Sequence, residues 1–502
     1  MPATERRQAA PGAAPNAPAS MGPRRAQRRR SLWLAGGALV AVLIGFAAAA
    51  QQTPEQDAQP DRVTDADAGA KAVQGPPMTD EQIERAIGDA EAAEAAAQSG
   101  AGAAENAVTE GSESSAELHQ VPAAAANAVA QVAPLPGLSL LKKARLGEGG
   151  VFTAQTAEGK VARLTLHAEL QAQMQKLLAT YKPDGAALVA VEPKTGRVLA
   201  LVEYAADGKS AGMATRPLYP AASVFKIITG AALLEKGVSP ETETCYHGGM
   251  HGLVGKLLQD KPRLDRRCLS LSMALAKSAN VVFAKMAVKH LDARSLRAQA
   301  EKFLFNRPIW ADPSVESSTA AIPDSGLDFA KSAAGFGDVK LSPLHAAMIA
   351  GAVGNGGIAP NPTLIDSLDD EKTTSTGSRR LLRLETAAAL TEMMKLTVSQ
   401  GTATHSFRER RGMVLGNIEV AGKTGSLSNH KKPFKDYSWF VGFAPAADPQ
   451  IAVAAVVVNG LKWKIHAPYV AREALRVYLM GGQLGTPPAA RVKAKKRPAR
   501  HR

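Results

Sequence analysis

This sequence is short of three things: cysteine, aromatic side chains and, across its middle, net charge. Cysteine occurs twice in 502 residues, at Cys245 and Cys268, so at most one disulfide can form and a densely cross-linked scaffold is excluded. Aromatic residues make up 5% of the chain, and none falls within residues 51–133. That stretch is mostly Ala, Gln, Glu, Asp and Ser, and it cannot bury enough apolar surface to offset the entropy of ordering it. It reads as a spacer, with one exposed helix over residues 79–98 that opens on a capping box from Thr79 to Gln82. The formal charge of +14 is confined to the ends. Residues 1–31 hold seven Arg and one Glu, residues 487–502 hold seven Lys or Arg and no acid, and together they account for all but one unit of the net charge. A near-neutral middle presents no basic face with interleaved aromatics, which argues against nucleic acid as a partner.

Residues 32–50 are 19 uncharged residues preceded by Arg24, Arg25, Arg28, Arg29 and Arg30. That length spans a bilayer, and the arginines hold the N-terminus in the cytoplasm and send the remainder across the cytoplasmic membrane, to the periplasmic or extracellular side. The alternative is a cleaved signal peptide, with Arg29-Arg30-Ser31-Leu32 faintly similar to a twin-arginine signal. The apolar segment exceeds the usual signal core of roughly 7–15 residues, which favours a retained single-pass anchor. The basic tail 487–502 reads as a solvated run, with anionic polymers or lipid headgroups as its alternative partners.

The folded part is organised around Ser223-Val224-Phe225-Lys226, a hydroxyl and an amine three residues apart. The apolar run that follows, Ile227 to Leu234, stops at Gly237 and predicts a helix buried nearly all round. On a helix the two side chains share a face, and burial at its N-terminal end lowers the lysine pKa. Ser139/Lys142 and Ser428/Lys431 repeat the spacing but lie in no such run.

Downstream, residues 269–291 predict a helix interrupted at Ser278-Ala279-Asn280, the one Ser-x-Asn noted in the chain. Lys-Thr-Gly occurs twice. Lys194-Thr195-Gly196 joins two predicted strands, residues 186–191 and 197–204, and turn chemistry accounts for it. Lys423-Thr424-Gly425 is followed by Ser426 and the apolar strand 439–443, and is the chemical candidate. Further strands are expected within residues 151–166 and at 418–420 and 451–458. Helices are expected over 168–181, from Ser342 to Gly354, and over 381–398 and 471–480, with an exposed loop over 366–380. The implied class is α/β of the α+β type, an antiparallel sheet covered by helices. Cys245 and Cys268 admit three states: a disulfide closing a loop worth roughly 3 kcal/mol, two free thiols, or a zinc site with His247 and His251, whose spacing matches no standard finger. The disulfide is the expected one, and no metal or other cofactor is called for.

Ser-x-x-Lys, Ser-x-Asn and Lys-Thr-Gly in that order resemble the transpeptidase domain of penicillin-binding proteins and the related serine β-lactamases. The likeness covers about residues 164–478 and includes Pro193-Lys194-Thr195-Gly196-Arg197-Val198-Leu199-Ala200, Gly401-Thr402-Ala403 and Trp439-Phe440-Val441-Gly442-Phe443-Ala444-Pro445. The resemblance implies a sheet covered by helices plus a helical subdomain. It also implies acyl transfer on peptidoglycan stem peptides that end in D-Ala-D-Ala, with β-lactams as inhibitors and other cell-wall synthesis proteins as partners. It makes Ser223 the nucleophile, Lys226 its base, Ser278 a proton relay and Lys423 the cation that draws the substrate carboxylate. Asn280, Thr424, Gly425 and Ser426 line the substrate site, and the backbone N–H groups of Ser223 and Ser426 form the oxyanion hole. Position 426 is Ser where many relatives have Thr, Ser342 stands where Thr is common, and Phe336 where Gln is common. Residues 51–133 are too short and polar for a glycosyltransferase or pedestal domain. The expected organisation is a basic tail (1–31), a transmembrane helix (32–50), a linker (51–137), a transpeptidase domain (138–486) and a second basic tail (487–502). A D,D-carboxypeptidase, a β-lactamase or a non-catalytic wall-binding scaffold are the competing functions.

Overall fold

The computed structural model describes residues 137–209, 212–309, 315–373, 377–410, 412–429, 432–482 and 484. The apolar segment 32–50, the spacer helix and both basic tails lie outside these residues. No helix among the described residues is long and apolar enough to cross a membrane.

The elements that position the site are, in chain order, helix α1 (Ala168–Tyr181), strands β1 (Gly185–Val191) and β2 (Val198–Ala205), helix α2 (Lys226–Glu235), strands β3 (Glu243–Tyr246) and β4 (Arg267–Ser270), helices α3 (Leu271–Ala276), α4 (Asn280–His290), α5 (Gly326–Ala333), α6 (Pro343–Gly354) and α7 (Leu384–Ser399), strands β5 (Ala421–Asn429), β6 (Lys435–Ala444) and β7 (Ile451–Asn459), and helix α8 (Ala467–Met480). Five strands form an antiparallel sheet in the order β5-β6-β7-β1-β2. Strand β7 is buried at every residue, because both faces of the sheet are covered. Val453, Ala455 and Val457 pack with Leu170, Met174, Val470 and Leu475 of α1 and α8, while Ala452, Ala454 and Val456 pack with α6 and the helices beyond it. A smaller sheet joins Phe152–Gln155 and Val161–Leu164 to Ile365–Leu368.

Most sequence expectations recur, with instructive shifts. The strand expected at 418–420 starts instead at Ala421, because Ile418 closes a turn onto Leu415. The loop expected over 366–380 takes part in three short strands, Ile365–Leu368, Glu371–Lys372 and Ser378–Arg380; in the first, buried Ile365 and Ser367 alternate with half-buried neighbours. The first Lys-Thr-Gly is the β1–β2 turn: Gly196 has φ 78°, and Lys194 is paired at the surface with Asp448 at 2.6 Å.

Candidate active site

Ser223 sits in a 3₁₀ turn, Ala222–Phe225, that precedes α2, so the α-helix begins at Lys226, three residues after the serine that the sequence reading puts on it. The turn has three residues per turn, so side chains at i and i+3 eclipse, and Lys226 Nζ lies 2.7 Å from Ser223 Oγ. Three features fix the turn. Ala222 adopts φ 47°, Trp439 of β6 donates its indole N–H to Pro220 O at 2.9 Å, and Gly335 packs so closely that a Cβ there would overlap the Ala222 carbonyl.

Lys226 is fully buried. Its Nζ meets Asn280 Oδ1 at 2.5 Å and Ala334 O at 2.6 Å besides Ser223 Oγ. The two oxygens can only accept. A neutral amine has two N–H groups for them and one lone pair, which then faces the Ser223 hydroxyl. Burial, and secondarily the Lys423 cation, push the Lys226 pKa well below its ordinary value, which favours that neutral form.

The break in the helical run falls where Ser-x-Asn predicts it. Ser278 has φ 57° between α3 and α4, and Asn280 opens α4 with its side chain buried. Lys423, on the edge strand β5, donates to Ser278 Oγ at 2.9 Å and to Thr424 O at 2.8 Å. It too is fully buried, and burial pushes its amine down to about 7. Gly425 brings β5 against the Ser223 turn: a methyl there would stand 3.2 Å from Val224 Cγ2 and 3.4 Å from Val224 N. Ser426 is exposed beside it. Serine, lysine, serine, asparagine and the second Lys-Thr-Gly are thus gathered in one place, from segments some 200 residues apart in sequence.

Three contributors had no role assigned from sequence. Ala334 O and Gly335 act through the backbone, flagged only by the glycine pair Gly335/Gly337. Thr402 contacts Thr424 hydroxyl to hydroxyl at 2.5 Å and donates its N–H to Ala276 O at 3.1 Å, tying β5 to α3. Glu301 and Glu316, the carboxylates a β-lactamase reading would call on, are ion-paired with Arg307 and Arg216 at 3.0 and 2.5 Å. Cys245 and Cys268 are opposite one another on β3 and β4 and joined as a disulfide. Neither is a thiolate, and no cluster of three or more His, Cys, Asp or Glu suited to a metal occurs among the described residues.

A family model for the penicillin-binding protein transpeptidase domain matches residues 186–475. Peptidoglycan D,D-transpeptidase PbpA of Mycobacterium tuberculosis is 30% identical over 353 residues, covering 62% of this chain and 69% of that protein. Stage V sporulation protein D of Bacillus subtilis is 26% identical over 336 residues, covering 60% and 50%. The crystal structure of PBPA from M. tuberculosis superposes with a TM-score of 0.54 at 26% identity, covering 64% of this chain and 83% of that one. An imipenem acyl-enzyme complex of the same protein gives 0.53 at 26%, covering 64% and 80%. By sequence, fold and motif order, this chain belongs to the penicillin-binding protein transpeptidase family.

Proposed function

We propose that this chain is a membrane-anchored serine D,D-transpeptidase that cross-links peptidoglycan through an acyl-enzyme on Ser223. The observation that carries the chemistry is the Lys226 amine, dry, satisfied by two acceptors and directed at Ser223 Oγ 2.7 Å away. Ser223 Oγ attacks the carbonyl between the two terminal D-Ala residues of a stem peptide as its proton passes to Lys226. The peptide C–N bond breaks, the leaving D-Ala nitrogen takes a proton by way of Ser278, and an ester on Ser223 remains. An acceptor amine from a neighbouring stem then attacks that ester, forms the new amide and returns Ser223 to its hydroxyl form. A β-lactam follows the first half only, since its ring nitrogen stays tethered and keeps the acceptor out.

Asn280 holds the substrate amide. Lys423 supplies positive charge for the substrate carboxylate, with the hydroxyls of Thr424 and Ser426 beside it. The N–H groups of Ser223 and Ser426 serve as the oxyanion hole, a contribution of roughly 10² to 10³ in rate. Because β5 is a sheet edge, an extended stem peptide can pair with its backbone. Stem peptides are the natural partner and β-lactams the inhibitors; other wall-synthesis proteins are further partners. The segment 32–50 is the single-pass anchor, residues 51–137 the spacer, and the catalytic domain works on the periplasmic or extracellular side.

A fluorescent penicillin, followed over time on the full chain beside Ser223→Ala, tests this. A long-lived label that requires Ser223 is expected. A label that forms and vanishes with turnover points to a β-lactamase, and absence of label on folded protein to a scaffold. Incubation with a stem pentapeptide separates the remaining pair, because cross-linked dimer requires an amine acceptor while a carboxypeptidase yields tetrapeptide.

A further inference from the structure

Between α2 and α3 the chain makes an excursion, residues 247–266, closed at its base by the Cys245–Cys268 bond. Its inner side delivers three carbonyls to the start of α4. Gly249 O accepts from Val281 N–H and Met250 O from Asn280 N–H, each at 2.9 Å, and His251 O accepts from the Asn280 side-chain Nδ2. A second tether lies further along α4. Lys285, buried, donates to Cys245 O at 2.9 Å and pairs with Asp260 at 2.9 Å and with Asp265 Oδ2 at 3.2 Å. Asp265 also binds the His247 ring through Oδ1 and accepts from Lys261 N–H at 2.9 Å, so one buried carboxylate joins both ends of the excursion to α4.

The two ends of a carboxamide are nearly equal in size, so its partners decide which way round it sits. His251 O can only accept and therefore takes Nδ2, which turns Oδ1 toward Lys226 Nζ. The second N–H of Nδ2 is still available to a substrate carbonyl. Reversed, the amide would set N–H against N–H, and the lone pair of Lys226 would lose its aim at Ser223 Oγ.

We propose that the disulfide-closed segment 245–268 is a positioning clamp for Asn280, and that Asp265, Lys285 and the Cys245–Cys268 bond are positioning residues for acylation although none of them touches the substrate. The clamp rests on the acyl-enzyme reading of Ser223. Cys268 is exposed, so the bond is open to a dithiol reductant, which would leave two thiols here and become a cyclic disulfide itself.

The test measures the acylation rate of the full chain by fluorescent penicillin as a function of label concentration. Asp265→Asn is expected to lower the saturating rate roughly tenfold or more while the half-saturating concentration stays nearly unchanged. Reduction with dithiothreitol should do the same, and reoxidation should restore the rate. In an Asn280→Ala background, followed over longer incubations, neither change should cost anything further, because both act through Asn280. Losses that multiply in that background would overturn the clamp in favour of plain fold support. Unchanged rates in Asp265→Asn and in reduced protein would also overturn it. A wild-type chain that takes no label defeats the acyl-enzyme reading itself, and the clamp with it. Should Asp265→Asn not fold, reduction and reoxidation of the two backgrounds give the same decision.

Discussion

Two buried lysines, Lys226 and Lys423, face opposite demands. In the proposed mechanism Lys226 must be neutral to take the Ser223 proton, and Lys423 must be charged to draw a carboxylate. With the Lys226 pKa pushed well down and that of Lys423 at about 7, acylation should rise with pH as Lys226 loses its proton and fall as Lys423 does. Lys423→Arg, whose guanidinium stays charged, should therefore remove the falling limb from the pH–rate profile even where its bulk lowers the maximum; a limb that stays in place would assign it to another group. Lys226→Ala should cost roughly 10² to 10⁴ in acylation rate while Ser223 remains present. These residues were legible in the sequence because each motif packs its chemistry into three or four neighbouring positions. Thr402 was legible only within the Gly401-Thr402-Ala403 likeness and without a role, since its contact with Thr424 arises only when the chain following α7 lies against β5.

At the scale of the elements, the Ser223 turn is held by its neighbours as much as by its own sequence. Gly335 adopts φ 96° and lies directly on the Ala222–Ser223 peptide. Gly335→Ala must both strain its own backbone and displace that peptide, for a combined loss of about 2–4 kcal/mol. The expected outcome is a lower Tm together with slower acylation, read by thermal melts and labelling; an unchanged rate would mean the turn tolerates displacement. The hydrophobic periodicity located α1, α6, α7 and the sheet strands because each buries a continuous face. It placed the start of the Ser223 helix too early, since a 3₁₀ turn and the first turn of an α-helix carry the same apolar pattern. It misplaced the start of β5 because the apolar residues Ile418 and Val420 belong to the turn that leads into the strand, not to the strand itself.

For the whole molecule, the same buried charge sets a stability cost. An unfolded Lys423 titrates near 10.5 and the folded one near 7, so between those values the unfolded chain binds more protons and stability rises with pH. The cost is fully present below pH 7 and amounts to a few kcal/mol in order of magnitude. Lys423→Met should thus melt higher than the native protein at pH 6–7, with the difference closing toward pH 10, although its acylation is lost. A native protein as stable as the variant at pH 6 would show that the amine keeps its proton at little cost.

The order β5-β6-β7-β1-β2 has a consequence for how such an enzyme is made. Strand β1 is among the first of the sheet to leave the ribosome, yet its partner β7 is the last, and everything that bears the site lies between them. Contacts this distant in sequence form late and slowly. A chain emerging only as far as residue 450 holds all its motifs and no closed sheet, and should take no penicillin label. For a protein read as working across a membrane, that topology would keep the proposed nucleophile silent throughout translocation and arm it only after the C-terminal strand had crossed.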